Sequence, residues 1–107
     1  MSNYSESSFS EDYNSSWFKV FNYISPKSKV LDVGSSSGNF GKALIDKKGC
    51  IVDGIEPDDS DFKKAQKKLR NVYKLNVETD NLKVIKEKYD YIYFGDVIEP
   101  LLIQWLR

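Results

Sequence analysis

The chain has 107 residues, equal numbers of acidic and basic side chains and no net charge, which argues against a broad nucleic-acid or membrane-surface footprint. Its apolar content of 40% suits one small domain with a modest core. The lack of histidine removes the commonest metal ligand and general base, and no metal site is expected. Cys50 is the single cysteine, so there is no internal disulfide and a cytoplasmic setting fits, while the polar N-terminus reads as no signal peptide and no apolar run reaches membrane-spanning length.

Residues 1–9 are Ser-rich and expected to be disordered. From residue 10 the pattern turns helical: Tyr13, Trp17, Phe18, Val20, Phe21 and Ile24 share one broad aromatic face, Ser10 suits the N-cap, and Ser25-Pro26 closes the element. Lys29–Val33 reads as a buried strand, and Gly34–Gly38 as a tight loop in which Gly34 and Gly38 permit close backbone approach. A helix then runs to about Lys47 and stops at Lys48-Gly49. Cys50–Glu56 is a second strand ended by Pro57, and Asp58–Asp61 open a third helix with Phe62, Ala65 and Leu69 on its buried face. Lys63, Lys64, Lys67, Lys68 and Arg70 form a solvated face, a reading preferred over nucleic-acid binding. Asn71–Leu75 is a third strand, Leu82–Ile85 a short helix or turn, and Tyr89–Phe94 a fourth strand of strong β-propensity. Leu101–Arg107 reads as the first turn or two of a helix.

Strands alternating with helices imply βαβ units and a parallel sheet. The expected fold is α/β, three-layered and Rossmann-like, with strand order 3-2-1-4 and the switch point between the first and fourth strands. Four strand ends then meet at one crevice: the Gly34–Gly38 loop, Glu56, Asn76 and Asp96. A carboxylate at Glu56 can accept from both hydroxyls of a ribose, which fits NAD as well as any other adenosine ligand. The glycine spacing separates them. A dinucleotide site wants G-x-G-x-x-G, whereas counting from Gly34 this chain offers Gly, Ser36 and Asn39.

The pattern Asp32-Val-Gly34-Ser-Ser36-Ser-Gly38 resembles the first motif of the class I S-adenosylmethionine-dependent methyltransferases, acid-x-Gly-x-Gly-x-Gly, with serine at the middle glycine. Leu75-Asn76-Val77-Glu78 resembles that family's adenine-contacting segment, where aspartate is more usual than Asn76, and Tyr89 through Asp96-Val-Ile-Glu99 resembles its fourth-strand motif. The resemblance covers roughly residues 10–105 and implies a methyltransferase domain at 10–107 that supplies the cofactor-binding half of a seven-stranded fold. It implies S-adenosylmethionine as the cofactor. Asp32 and the loop residues Gly34, Ser35, Ser36 and Gly38 would hold the methionine part, and Glu56, followed by Pro57, the ribose. Asn76 and the Val77 N–H would meet adenine, Gly95 and Asp96 would flank the amino-acid end, and Tyr13 would close over the cofactor. Methyl transfer from a sulfonium needs mainly alignment and dryness, so a histidine-free site is tolerable. Glu99 is the one candidate base, and a solvated helix-start carboxylate is the preferred reading of it.

The family continues with three more strands, so the fourth strand is expected to expose an apolar edge, a pairing hazard that suggests a homodimer through that edge or through Leu101–Leu106. A small molecule or a saccharide could be the acceptor; the saccharide rests on the occurrence of such domains beside glycosyltransferase modules. Two rival readings stand beside methyl transfer. One is a non-catalytic cofactor-binding or interaction module within a larger protein. The other is an NAD-binding half-domain, which the glycine spacing disfavours.

Overall fold

The computed structural model describes residues 16–95 and 101–104. The expected N-cap Ser10, the N-terminal segment 1–9 and the candidates Tyr13, Asp96 and Glu99 lie outside those residues. The described elements in chain order are α1 (Ser16–Tyr23), β1 (Lys29–Val33), α2 (Asn39–Lys48), β2 (Ile51–Ile55), α3 (Asp59–Gln66), β3 (Asn71–Tyr73), a 3-10 turn (Leu82–Val84), β4 (Tyr91–Phe94) and β5 (Leu101–Gln104). The sheet order is β3-β2-β1-β4-β5, with β1 parallel to both β2 and β4, and β2 parallel to β3. The expected 3-2-1-4 core is therefore present, with its order reversing beside β1.

Each face of the sheet collects alternate residues of the strands. Val30, Val52, Tyr91 and Tyr93 pack under all three helices, against Trp17 and Ile24, Phe40 and Leu44, and Ala65 and Leu69. Lys48, at the end of α2, secures α1 by donating to the carbonyls of Phe21 and Ile24 (2.6 Å to the latter), with its ammonium 4.9 Å from the centre of the Phe21 ring. Leu31, Val33, Ile55, Ile92 and Phe94 face the other way, against Tyr73, Leu75, Ile85 and Tyr89. Among the described residues this second layer is a loop with one 3-10 turn and carries no α-helix. It leaves an apolar groove of about 500 Å³ over Leu31, Val33, Ile55, Ile92 and Phe94.

Two sequence expectations are corrected at the C-terminal end. Leu101–Gln104 is a strand, not a helical turn. It pairs antiparallel with β4 in the register Phe94↔Leu101 to Tyr91↔Gln104, and Leu102 packs against the core under the helices. Consequently the β4 edge is not open, because β5 takes up the backbone groups that would otherwise invite a second chain. Elsewhere the shifts are small. β3 ends at Tyr73 because the chain bends there, the Leu75 N–H turning back to the Tyr73 carbonyl at 3.0 Å. β4 begins at Tyr91, and the expected first residue Tyr89 instead aims its hydroxyl across at β2. No helix among the described residues is long and apolar enough to cross a membrane.

Candidate functional site

The turn after β1 is built from three consecutive alternate positions with positive φ: Gly34 at 73°, Ser36 at 56° and Gly38 at 90°. Glycine takes this conformation without penalty, whereas an L side chain at Ser36 costs about 1–2 kcal/mol. The geometry thus has the alternate-glycine form at every position, serine included. Backbone bonds fix the turn: the N–H groups of Gly34 and Ser35 both donate to the Ile55 carbonyl (2.8 and 3.0 Å), and the Gly38 N–H to the Ser35 carbonyl (3.0 Å). Gly38 also lets α2 start tightly against α3, since a Cβ there would lie 3.1 Å from the Ala65 Cα.

Glu56 is the clasp of this turn. Its carboxylate is buried at the end of β2. Oε1 accepts from the Ser36 N–H at 2.7 Å, and Oε2 accepts from the Asp58 N–H at 3.0 Å. A carboxylate offers about four lone-pair sites, so each oxygen keeps one for a further donor such as a hydroxyl. The Glu56 N–H in turn reaches the Tyr73 carbonyl at 3.0 Å, binding the end of β2 to the end of β3.

Beside this clasp, the C-terminal ends of β1, β2 and β3 enclose a cavity of about 230 Å³ lined by Val33, Gly34, Ile55, Pro57 and Leu75–Glu78. Of the expected site residues, Gly34, Pro57, Asn76 and Val77 therefore meet around one space; Glu56 and Ser36 do not line it, though Glu56 lies in the chain between two lining residues, Ile55 and Pro57. Asn76 is exposed there and shapes its own turn. Its Oδ1 accepts from the Glu78 N–H at 2.9 Å, and its N–H donates to Asp80 Oδ2 at 2.7 Å. Asp32 is buried in β1, with its side chain on the helix-covered face. Gly95 follows β4, where a Cβ would strike the Tyr93 ring at 2.5 Å. Ser35 does not line the cavity. It packs over Gly54, where any Cβ would come within 2.9 Å of it, and its buried Oγ has no hydrogen-bond partner among the described residues.

The sequence reading placed Leu75 and Glu78 in the segment expected to meet adenine but did not single out Val33 or Ile55 as walls. Their signal was positional: each flanks a strand end. It also passed over Asp53, a fully buried carboxylate in mid-strand. Its Oδ1 accepts from Arg70 Nε (2.9 Å) and from the N–H and Nδ2 of Asn71 (3.2 and 3.3 Å), while Oδ2 accepts from Arg70 Nη2 (2.8 Å) and the Tyr89 hydroxyl (2.6 Å). Burial opposes its ionisation, but hydrogen bonds from Arg70, Tyr89 and Asn71 outweigh that and hold its carboxyl below the usual carboxylate range. Burial, together with the adjacent Asp53 carboxylate, pushes the Tyr89 phenol well above its ordinary value. No group of three or more His, Cys, Asp or Glu is gathered to hold a metal among the described residues.

A parallel sheet that reverses its order beside a turn of alternating left-handed residues, with an acid closing the next strand, is the Rossmann-like methyltransferase fold. A family model described as "Methionine biosynthesis protein MetW" matches residues 14–101, and the chain belongs to that family. No curated protein matches it. Among solved structures, a TehB-like SAM-dependent methyltransferase from Corynebacterium glutamicum superposes with a TM-score of 0.61 at 21% identity, over 80% of this chain and 46% of its own. Coclaurine N-methyltransferase, bound to N-methylheliamine and S-adenosylhomocysteine (SAH), gives 0.57 at 16% identity, over 78% of this chain and 29% of its own. A SAM-dependent methyltransferase from Thiobacillus denitrificans in complex with S-adenosylhomocysteine gives 0.56 at 16% identity, over 72% and 34%. The chain thus spans less than half the length of these structures.

Proposed function

We propose that the crevice at the ends of β1, β2 and β3 binds S-adenosylmethionine, and that the chain supplies the cofactor-holding part of a methyltransferase acting on a small-molecule acceptor. One observation carries the reading: Ser36 holds a left-handed conformation, and its N–H is clasped by the carboxylate that ends β2. The bound cofactor supplies an activated methyl group on a sulfonium. The chain's own residues bind and orient it. Glu56 has lone pairs left for the ribose hydroxyls, Val33, Ile55, Leu75 and Val77 offer apolar walls for adenine, and the Gly34–Gly38 turn with Asp32 would hold the methionine part. Structures of the same fold that hold S-adenosylhomocysteine support the choice of ligand, and the family's description as a methionine biosynthesis protein favours a small-molecule acceptor. A reducing, cytoplasmic setting suits the buried free thiol of Cys50.

Calorimetric titration with S-adenosylmethionine, S-adenosylhomocysteine and NAD tests the reading. Micromolar binding of the first two, with NAD silent, is the expected result. NAD binding at equal strength would overturn it. A second reading is a module that holds the nucleoside without turnover; it is favoured by Glu56 being already engaged at both oxygens, Oε1 by the Ser36 N–H of the loop and Oε2 by the Asp58 N–H ahead of α3. Binding without methyl transfer to any amine, thiol or hydroxyl acceptor would select it.

A further inference from the structure

We infer that Asp53 is a positioning residue for the nucleoside crevice, acting by pinning the register of β3 against β2. The inference rests on the proposed use of that crevice. β3 is an edge strand of three residues, paired as Asp53↔Asn71, Gly54↔Val72 and Ile55↔Tyr73. So short a ladder specifies its register weakly, and a slip by one residue would turn Val72 and Tyr73 to the wrong faces. The carboxylate of Asp53 supplies what the ladder lacks. Four of the hydrogen bonds it accepts come from Arg70 and Asn71, the two residues at the entry to β3. The Arg70 N–H adds a bond to the Val52 carbonyl at 3.0 Å, and the Arg70 guanidinium is braced from outside by Glu87 at 3.1 Å. The Tyr89 hydroxyl holds the carboxylate from the side of the 74–90 loop. Register set at Asn71 is carried along three residues to Tyr73, whose carbonyl takes the Glu56 N–H, and then to Leu75–Glu78, the far wall of the cavity. Two acids of one segment thus divide the work: Asp53 within β2 fixes where β3 starts, and Glu56, just past the end of β2, meets the place where β3 ends.

The test is hydrogen exchange by mass spectrometry, with calorimetric SAH binding, on the full chain carrying Asp53→Asn or the gentler Arg70→Lys, which keeps the charge and loses the two-pronged fork. The expected result is selective. Amides of Glu56 and 71–76 exchange at least about tenfold faster while those of β1 and β4 keep their protection, and SAH binds about tenfold more weakly. Arg70→Lys shows the same pattern to a smaller degree and serves where Asp53→Asn does not fold. Uniform loss of protection across all strands would reduce Asp53 to a general stabiliser and overturn the inference. Selective loosening with unchanged SAH affinity would also overturn it. Failure of the parent chain to bind SAH would refute the proposed ligand, while the exchange pattern would still decide whether Asp53 pins β3.

Discussion

Replacing Glu56 with Gln removes one charge and one acceptor while preserving the shape of the side chain. The parent carboxylate accepts from the Ser36 N–H at 2.7 Å and from the Asp58 N–H at 3.0 Å. A carboxamide can satisfy one of these and must point its NH2 at the other. Hydrogen bonds to a charged group contribute about 1.5–3 kcal/mol each, and a buried donor left unpaired adds its own cost. Asp58 is exposed and Ser36 half-buried, so water can reach a freed N–H. That places the loss at the lower end, about 2 kcal/mol, or roughly a 10 °C fall in Tm for a domain of this size. The same change should weaken SAH binding at least about tenfold, because the loop moves and a ribose acceptor is lost. Thermal melts by circular dichroism and calorimetric titration read the two effects separately. A variant melting within about 2 °C of the parent would refute the clasp. Such a variant that still lost SAH would leave Glu56 as a ligand contact alone.

The other substitutions are graded by the same geometry. Gly38→Ala should cost about 1–2 kcal/mol from its left-handed φ alone, with added strain because the new Cβ would sit 3.1 Å from the Ala65 backbone; chemical denaturation measures it. Gly41→Ala should cost about 1–3 kcal/mol by overpacking, its Cβ falling 2.5 Å from Leu69 and 3.0 Å from Val52. Ser36→Gly should be close to neutral in Tm: relief of about 1 kcal/mol at φ 56° is offset by about 0.4–1 kcal/mol of added unfolded-state entropy. Asp53 sets an acid limit. Its folded pKa is depressed, so its stabilisation is complete above the unfolded value of about 3.9 and is lost as the pH falls through the lower folded value. Tyr89 sets the opposite limit: its folded pKa is raised, so its stabilisation holds below about pH 10 and is lost above. Urea melts from pH 2 to 11 should be flat between about pH 5 and 9 and decline at both ends in the parent, and the alkaline decline should shrink in Tyr89→Phe.

What could be read from the sequence was local. β1, the Gly34–Gly38 turn, α2 and β2 sit within a residue of their expected places, and α3 starts where expected, because each carries its own signal, though α3 ends at Gln66, short of Leu69. Short apolar runs bounded by Gly and Pro mark β1 and β2, Gly49 with φ 66° ends α2, and Asp58 caps α3 by accepting from the Asp61 N–H. Leu101–Gln104 has no such signal. A three-residue apolar run, Leu101 to Ile103, fits a helix or a strand equally, and what decides is pairing with β4, a partner that periodicity cannot reveal. The same physics hid Asp53. An aspartate inside an apolar strand looks like a defect until Arg70, Asn71 and Tyr89 are brought to it from positions 17 to 36 residues away. The crevice falls between these cases. Its acid and its glycines were visible because their spacing along the chain mirrors their spacing in space. Its apolar walls Val33 and Ile55 look like ordinary core residues and became walls only when the strand ends were set side by side. A chain of this kind announces where a ligand's charge and hydroxyls can be met earlier than it announces the shape of the space, because polar recognition is carried by single residues and shape by the register between strands.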